Sequence, residues 1–67
     1  MLLLKIILPD GRCQKLQISE ATVEDVLRDL GVNPVEVIVS KNGKVVSELE
    51  SIGQDDEIRI IRIVHGG

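Results

Sequence analysis

The fold is decided by the stretch Ile58-Arg59-Ile60-Ile61-Arg62-Ile63-Val64, which runs directly into His65-Gly66-Gly67. Its density of β-branched side chains predicts a long strand. Because side chains alternate along a strand, Ile58 and Ile60 lie on one side, and Arg59, Ile61 and Ile63 lie on the other. The strand therefore has one side suited to a core, a second side that mixes isoleucine with arginine, and an end without side chains.

Two strands and a helix precede it. Residues 2–8 alternate strongly and predict a first strand, and Pro9-Asp10-Gly11 predicts a reversal into a second strand over residues 13–18. Thr22 predicts the N-cap of a helix over residues 23–30, with Asp25 completing a capping box. Gly31 predicts the end of that helix.

The middle of the chain predicts a second hairpin. Residues 35–40 predict a third strand, and the Asn42-Gly43 pair predicts a tight turn into a short return strand at Val45 and Val46. Residues 47–52 predict a single helical turn with Ser47 as its cap. Residues 53–56 predict a polar turn that leads into the last strand.

This order of elements predicts an α+β fold in which one main helix packs on one face of a mixed, four- to five-stranded sheet. The first and last strands then pair in parallel at the centre of the sheet. This is the β-grasp, or ubiquitin-like, arrangement. We expect residues 1–64 to form this domain and residues 65–67 to form a flexible tail.

Composition excludes several functions. Sixty-seven residues make one domain, 43% of them hydrophobic and none aromatic, so we expect an aliphatic core without an enzyme pocket or catalytic residues. A net charge of −3 without basic runs argues against nucleic acid. No segment predicts a membrane span, and one cysteine fits a reducing compartment, so we expect a cytoplasmic protein. We expect no metal and no bound cofactor, and assign His65 no role because no partner ligand accompanies it.

One face of the predicted sheet is more apolar than a solvent-exposed face needs to be. If the helix covers Leu4 and Ile6, it leaves an uncovered aliphatic patch, which is typical of a protein contact. The predicted patch consists of Leu3, Ile7, Ile61 and Ile63. Arg59 and Arg62 are expected to bind an acidic surface on the same partner. The alternative is a β-bulge near Ile61, which would turn some of these side chains inward.

The α-carboxylate of Gly67 is the predicted functional group. Glycine has no Cβ and allows close approach of the backbone, so Gly66 and Gly67 suit the narrow entrance of a nucleotide site. A carboxylate reacts only after activation, and adenylation by ATP supplies a mixed anhydride with AMP. A sulfur nucleophile or an amine can then attack the acyl carbon.

The chain resembles the ThiS/MoaD family of sulfur-carrier proteins, and lies near the archaeal small ubiquitin-like modifiers. Residues 58–67, the turn Asn42-Gly43-Lys44-Val45-Val46 and the helix of residues 22–30 carry the resemblance. It implies that a ubiquitin-activating-like enzyme, which consumes ATP, adenylates Gly67. It also implies conversion to a thiocarboxylate for thiamine thiazole, molybdopterin or tRNA thiolation, with a sulfur donor or acceptor enzyme as a second partner. The exposed sheet face is then expected to contact the activating enzyme.

Two other functions stay open from the sequence. The chain can be a modifier that is conjugated through Gly67 to lysines of substrate proteins, since conjugation begins with the same adenylate. It can also be a β-grasp interaction module in which the Gly-Gly end is a frayed terminus without function.

Overall fold

Five strands form the sheet in a computed structural model that describes residues 2–18 and 21–63. They are β1 (Leu2–Ile7), β2 (Cys13–Ile18), β4 (Val37–Lys41), β5 (Lys44–Val46) and β7 (Glu57–Arg62). The order across the sheet is β2-β1-β7-β4-β5, and β1 and β7 are parallel at its centre. Helix α1 (Val23–Leu30) lies on one face. The predicted β-grasp fold is confirmed.

The core is a single aliphatic layer between α1 and the sheet. Val23, Val26 and Leu27 of the helix are at most 1% exposed. The sheet contributes Leu4, Ile6, Val37, Val39, Ile58 and Ile60 to this layer, and the segment before β7 contributes Ile52. Leu4 and Ile6 alternate with exposed or half-buried neighbours, as do Ile58 and Ile60, which confirms the predicted inward side of both central strands.

The ends of α1 form as the sequence predicts. Thr22 is the N-cap, its amide donates to Oδ2 of Asp25 at 3.0 Å, and its hydroxyl accepts from the Asp25 amide at 3.4 Å. Gly31 ends the helix with a φ of 72°, a left-handed conformation that glycine adopts without a Cβ penalty. These residues hold the short helix in place over the core.

Both predicted hairpins are confirmed. The first turn closes through the Leu8 amide, which donates to the carbonyl of Arg12 at 2.8 Å. In the second turn, Asn42 and Gly43 both have positive φ, of 52° and 88°, as a two-residue hairpin turn of type I′ requires.

The structure differs from the sequence prediction between the hairpins. Residues 34–36 form a 3₁₀-helix (Pro34–Glu36) rather than the start of a strand, because Oδ1 of Asn33 accepts from the Val35 amide at 3.1 Å. The predicted helical turn over residues 47–52 is wrong. The chain turns at Ser47, and β6 (Ser51–Ile52) then pairs with β3 (Ala21–Thr22).

This unpredicted pairing satisfies the first amides of the helix. The Val23 amide donates to the carbonyl of Glu50, and the Glu24 amide donates to the carbonyl of Glu48, each at 2.9 Å. These amides have no partner within a helix, so the 48–50 segment contributes the acceptors that they need. A helical turn at 47–52 would instead have engaged the Glu48 carbonyl with the Ile52 amide.

A network of hydrogen bonds joins the second hairpin turn to the turn before β7. Asp56 accepts from the Gly53 amide at 2.7 Å and from Nδ2 of Asn42 at 2.8 Å. Oδ1 of Asn42 accepts from the Glu57 amide at 2.9 Å. The Gly53 amide, followed by the Asn42 side chain, lowers the pKa of Asp56 below its ordinary value of 3.8.

Asp56→Asn is expected to destabilise the domain in a pH-dependent way. The folded pKa is lowered, so the stabilisation is complete above pH 3.8 and is lost as pH falls through the folded pKa. At neutral pH the loss should be about 1 kcal/mol, since the hydrogen bonds are charge-assisted but the carboxylate is partly exposed. Urea unfolding should show the difference from wild type shrinking below pH 3.8.

Asp55→Asn is the matched control for this substitution. Among the described residues, the Asp55 carboxylate accepts one hydrogen bond, from the adjacent Gln54 side chain at 3.3 Å, and asparagine tolerates its positive φ of 65°. Its free energy of unfolding should stay near that of wild type. A gap between Asp56→Asn and wild type that is unchanged in acid would contradict the assignment.

Candidate functional site

The face of the five-stranded sheet opposite α1, here called the outer face, is the candidate partner surface. Ile61 is 44% exposed there, and Arg59 beside it is also exposed. Ile7 and Ile63 are half-buried. The pairing of β7 with β4 is continuous, with Ile60 opposite Val39 and Ile61 opposite Ile38, so the sheet contains no bulge at Ile61.

The strand register places an apolar cluster around Arg59. Ile7 lies opposite Arg59 in the parallel pair, and Arg59 lies opposite Ser40 in the antiparallel pair. Ser40 in turn lies opposite Val45, which is 73% exposed. Ile61 and Ile38 form the adjacent row, and both are more than 40% exposed. The outer face therefore presents the Arg59 guanidinium with four aliphatic side chains in its own row and the adjacent one: Ile7, Ile38, Val45 and Ile61.

Sequence reasoning missed two members of this cluster. Ile38 and Val45 belong to β4 and β5, whose register against β7 is a long-range property of the sheet. The position of Ile38 could have been found from the sequence, because Val37 and Val39 predict the inward side of β4 and alternation then places Ile38 on the other side.

Leu3 lies apart from the cluster. The row formed by Lys15, Lys5 and Glu57 separates it from Ile7. Leu3 instead anchors the turn before β7: its amide donates to Oε1 of Gln54, and its carbonyl accepts from the Asp55 amide, both at 3.0 Å. The structure thus does not bring Leu3 together with Ile61.

Arg62 and Arg59 also occupy different places. Arg62 is exposed at the end of β7, where it borders a surface cavity of about 510 Å³. That cavity is also lined by Leu8, Pro9, Asp10 and Arg12 of the first hairpin. Arg12 is paired with Asp10 at 2.6 Å, so among the residues lining the cavity Arg62 is the cation without an ion pair.

The charge of the outer face is opposite to that of the whole chain. Lys5 and Lys15 lie directly opposite each other on β1 and β2, with Glu57 next to Lys5. Lys5, Lys15 and Arg59 form no ion pair with another described residue. Like charges placed opposite each other destabilise a sheet slightly, and an acidic partner would relieve that repulsion.

The chain approaches its end beside the 3₁₀-helix. The amide of Ile63, the last described residue, donates to the carbonyl of Glu36 at 2.9 Å. The predicted functional residues Gly66 and Gly67 lie outside the described residues, as does His65. Among the described residues, no helix is long and apolar enough to cross a membrane.

Solved structures with the same fold are ubiquitin-like proteins. The chain matches the crystal structure of SAMP1 from Haloferax volcanii with a TM-score of 0.74 and 22% identity, over 97% of this chain and 99% of that one. It matches Caldiarchaeum subterraneum ubiquitin with a TM-score of 0.69 and 19% identity, over 98% of each chain. A designed protein based on ubiquitin matches with a TM-score of 0.75 and 21% identity, over 97% of this chain and 92% of that one.

The fold and its helix-free outer face define the class: this is a ubiquitin-like protein. The family model of small archaeal modifier protein 2 matches residues 4–64, and the chain belongs to that family. Membership places it among the small ubiquitin-like modifiers, which are in general not enzymes.

Proposed function

We propose that this protein is a sulfur carrier whose Gly67 carboxylate is adenylated by a ubiquitin-activating-like enzyme. The carboxylate oxygen attacks the α-phosphorus of ATP and pyrophosphate leaves. A hydrosulfide ion then attacks the acyl carbon, a C–S bond forms, the C–O bond to AMP breaks, and AMP departs with the bridging oxygen, which leaves a thiocarboxylate and a proton. Thiamine thiazole, molybdopterin or tRNA thiolation would receive the sulfur. ATP is bound by the partner enzyme and not by this chain.

The proposal is supported mainly by where the Gly-Gly end is attached. The central strand β7 leads towards Gly66 and Gly67, and its central position between β1 and β4 holds it on both sides. An enzyme that pulls the chain end into a nucleotide site therefore acts on a firmly anchored body. In this role the domain provides a rigid handle for the terminal carboxylate.

The outer face supplies a docking surface for such an enzyme. The cluster around Arg59 combines exposed aliphatic area with positive charge, and lies on the same strand that leads to the chain end. Lys5 and Lys15 add charge along one side. This surface fits a partner that presents apolar and acidic side chains together.

The second candidate is a modifier joined through Gly67 to lysines of other proteins, and the description of the matching family as a modifier favours it. In this reaction a lysine Nζ attacks the activated acyl carbon, an amide bond forms, and the leaving group and a proton depart. Both functions share the adenylate, so one protein can serve both.

Mass spectrometry of the protein from its native cells distinguishes the two. A sulfur carrier is expected to show a fraction of intact protein heavier by about 16 Da, since sulfur replaces one oxygen of Gly67. A modifier is expected to leave branched Gly-Gly remnants on lysines of other proteins after digestion. The absence of both products from cells that express the protein would contradict the proposal.

A further inference from the structure

A second apolar surface lies at the other side of the molecule from the first hairpin. It is a groove of about 440 Å³ between α1 and the β4–β5 edge of the sheet, here called the edge groove. Leu27 of the helix and Val39 of the sheet line it and are buried. Val45 and Leu49 border it and are each 73% exposed. The edge groove is therefore a concave aliphatic surface that is open to solvent.

The carbonyl of Val37 in β4 has no backbone partner at this groove among the described residues. Strand β5 covers only Val39–Lys41 of β4, because the chain turns away at Ser47. Alternate residues of β4 point their backbone groups to opposite sides. Glu36 bonds to Ile63 and Asn42 bonds to Glu57, so Val37 directs its C=O towards the β5 side, beyond the end of β5. No backbone pairing to Val37 occurs there within residues 2–18 and 21–63.

The charge around the edge groove is negative. Glu48 lines the groove, and Glu36, which is exposed, precedes Val37. The nearby cations are already engaged, since Lys41 pairs with Glu50 at 2.7 Å and Arg28 pairs with Glu24 at 3.0 Å. Lys44 lies at the far, hairpin end of β5. The edge groove thus has the opposite charge to the outer face.

We propose that the edge groove binds an extended segment of a partner protein, with aliphatic side chains at alternate positions and lysine or arginine between them. The segment lies in extended form beside Val37, and one of its backbone N–H groups donates to the free C=O of Val37. Its aliphatic side chains enter the space over Leu27 and Val39, and its cations face Glu48 and Glu36. This inference is independent of the proposed chemistry of Gly67.

A second copy of the chain fits the groove poorly. Two β5 edges brought together would oppose Glu48 and Glu36 of one copy to those of the other. The aliphatic and basic strands β1 and β7 are already paired on both sides. The remaining edge strand, β2, has its apolar side chains Leu16 and Ile18 packed against the core. A different protein is the occupant that the charges and the free strand edge favour.

A short peptide tests this proposal on the full-length protein. The probe is acetyl-Lys-Val-Arg-Leu-Thr-Val-amide, and its matched control replaces Lys and Arg with Glu. Titration followed by amide chemical shifts is expected to move the signals of residues 37–39 and 45–49 with the basic probe. The acidic control should bind at least about tenfold more weakly, as expected for loss of paired charges.

Three variants locate the binding site. Leu49→Glu and Glu48→Lys should each lower the affinity for the basic probe at least about tenfold. Glu48→Lys should also reduce the ratio of the affinity for the basic probe to that for the acidic control. Val35→Glu should not weaken binding, because Val35 is as exposed, at 75%, but does not line the groove. All three side chains are exposed, so the fold should be retained.

Three results would overturn the inference. The first is that no amide chemical shift changes at a saturating concentration of the probe. The second is that the shift changes are centred on Arg59 and Ile61 of the outer face. The third is that Val35→Glu loses as much binding affinity as Leu49→Glu and Glu48→Lys do. Shift changes at residues 37–49 that grow with protein concentration in the absence of probe would assign the groove to a second copy, and would also overturn it.

Discussion

Deletion of Gly67 is expected to abolish every ATP-dependent modification of the chain end while leaving the free energy of unfolding unchanged. The carboxylate that the activating enzyme adenylates would then belong to Gly66, one residue short of the nucleotide site. Gly67 has no side chain, and the ten core side chains found among the described residues all lie at or before Ile60, so the deletion removes none of them. The two measurements are product formation with the activating enzyme and ATP, and urea unfolding.

His65→Ala is the control in the same segment. It alters the tail but keeps Gly66 and Gly67, so it should be modified at a rate close to that of the wild type. A Gly67 deletion that is still modified, or that loses several kcal/mol of stability, would show that the end of the chain is not a free functional group.

Charge reversal on the outer face is expected to have the next largest effect. Arg59→Glu and Ile61→Glu should each lower kcat/KM of the activating enzyme at least about tenfold, because each introduces a buried, repelled charge at the contact. Both side chains are exposed, so the free energy of unfolding should change by no more than about 0.5 kcal/mol. The assay is the initial rate of adenylation at limiting substrate concentration.

Val35→Glu is the matched control for this face too. It adds the same charge at an exposed aliphatic position that lies outside both the outer face and the edge groove. Its kcat/KM should equal that of wild type. Equal losses in all three variants would indicate a general charge effect, and unchanged rates in Arg59→Glu and Ile61→Glu would remove the outer face from the activating-enzyme interface.

Strong local signals made most of the fold predictable. Thr22, Asp25 and Gly31 mark the ends of the helix, and Asn42-Gly43 marks the second hairpin, each through backbone chemistry that few other residues supply. The alternation in β1 and β7 then gave the inward side of the sheet. These signals act within a few residues of the chain, so they can be interpreted without knowing which strands pair or in which register.

The parts that could not be predicted depend on long-range pairing. Strands β3 and β6 have two residues each, which is too short for any periodicity, and they form because the 48–50 segment satisfies the helix amides. Register explains the misplacement of Leu3, since Lys5 pairs with Glu57 and leaves Leu3 beside the turn before β7. It also explains why Ile38 and Val45 were missed.

Composition conceals how the charges are arranged. The net charge of −3 indicates a mildly acidic protein, yet Lys5, Lys15 and Arg59 gather on the outer face while Glu36 and Glu48 border the edge groove. The two faces therefore suit partners of opposite charge. A count of charged residues averages over the two surfaces, so it reveals neither the basic outer face nor the acidic edge groove.

The central claim is that the Gly67 carboxylate is the group that a partner enzyme activates with ATP. Its most direct test is tandem mass spectrometry of the C-terminal peptide after full-length protein is incubated with its ubiquitin-activating-like enzyme and ATP. We predict an AMP moiety on the α-carboxylate of Gly67, formed with release of pyrophosphate and discharged by a sulfur nucleophile. An unmodified terminus under conditions where the enzyme binds both the protein and ATP would contradict the account.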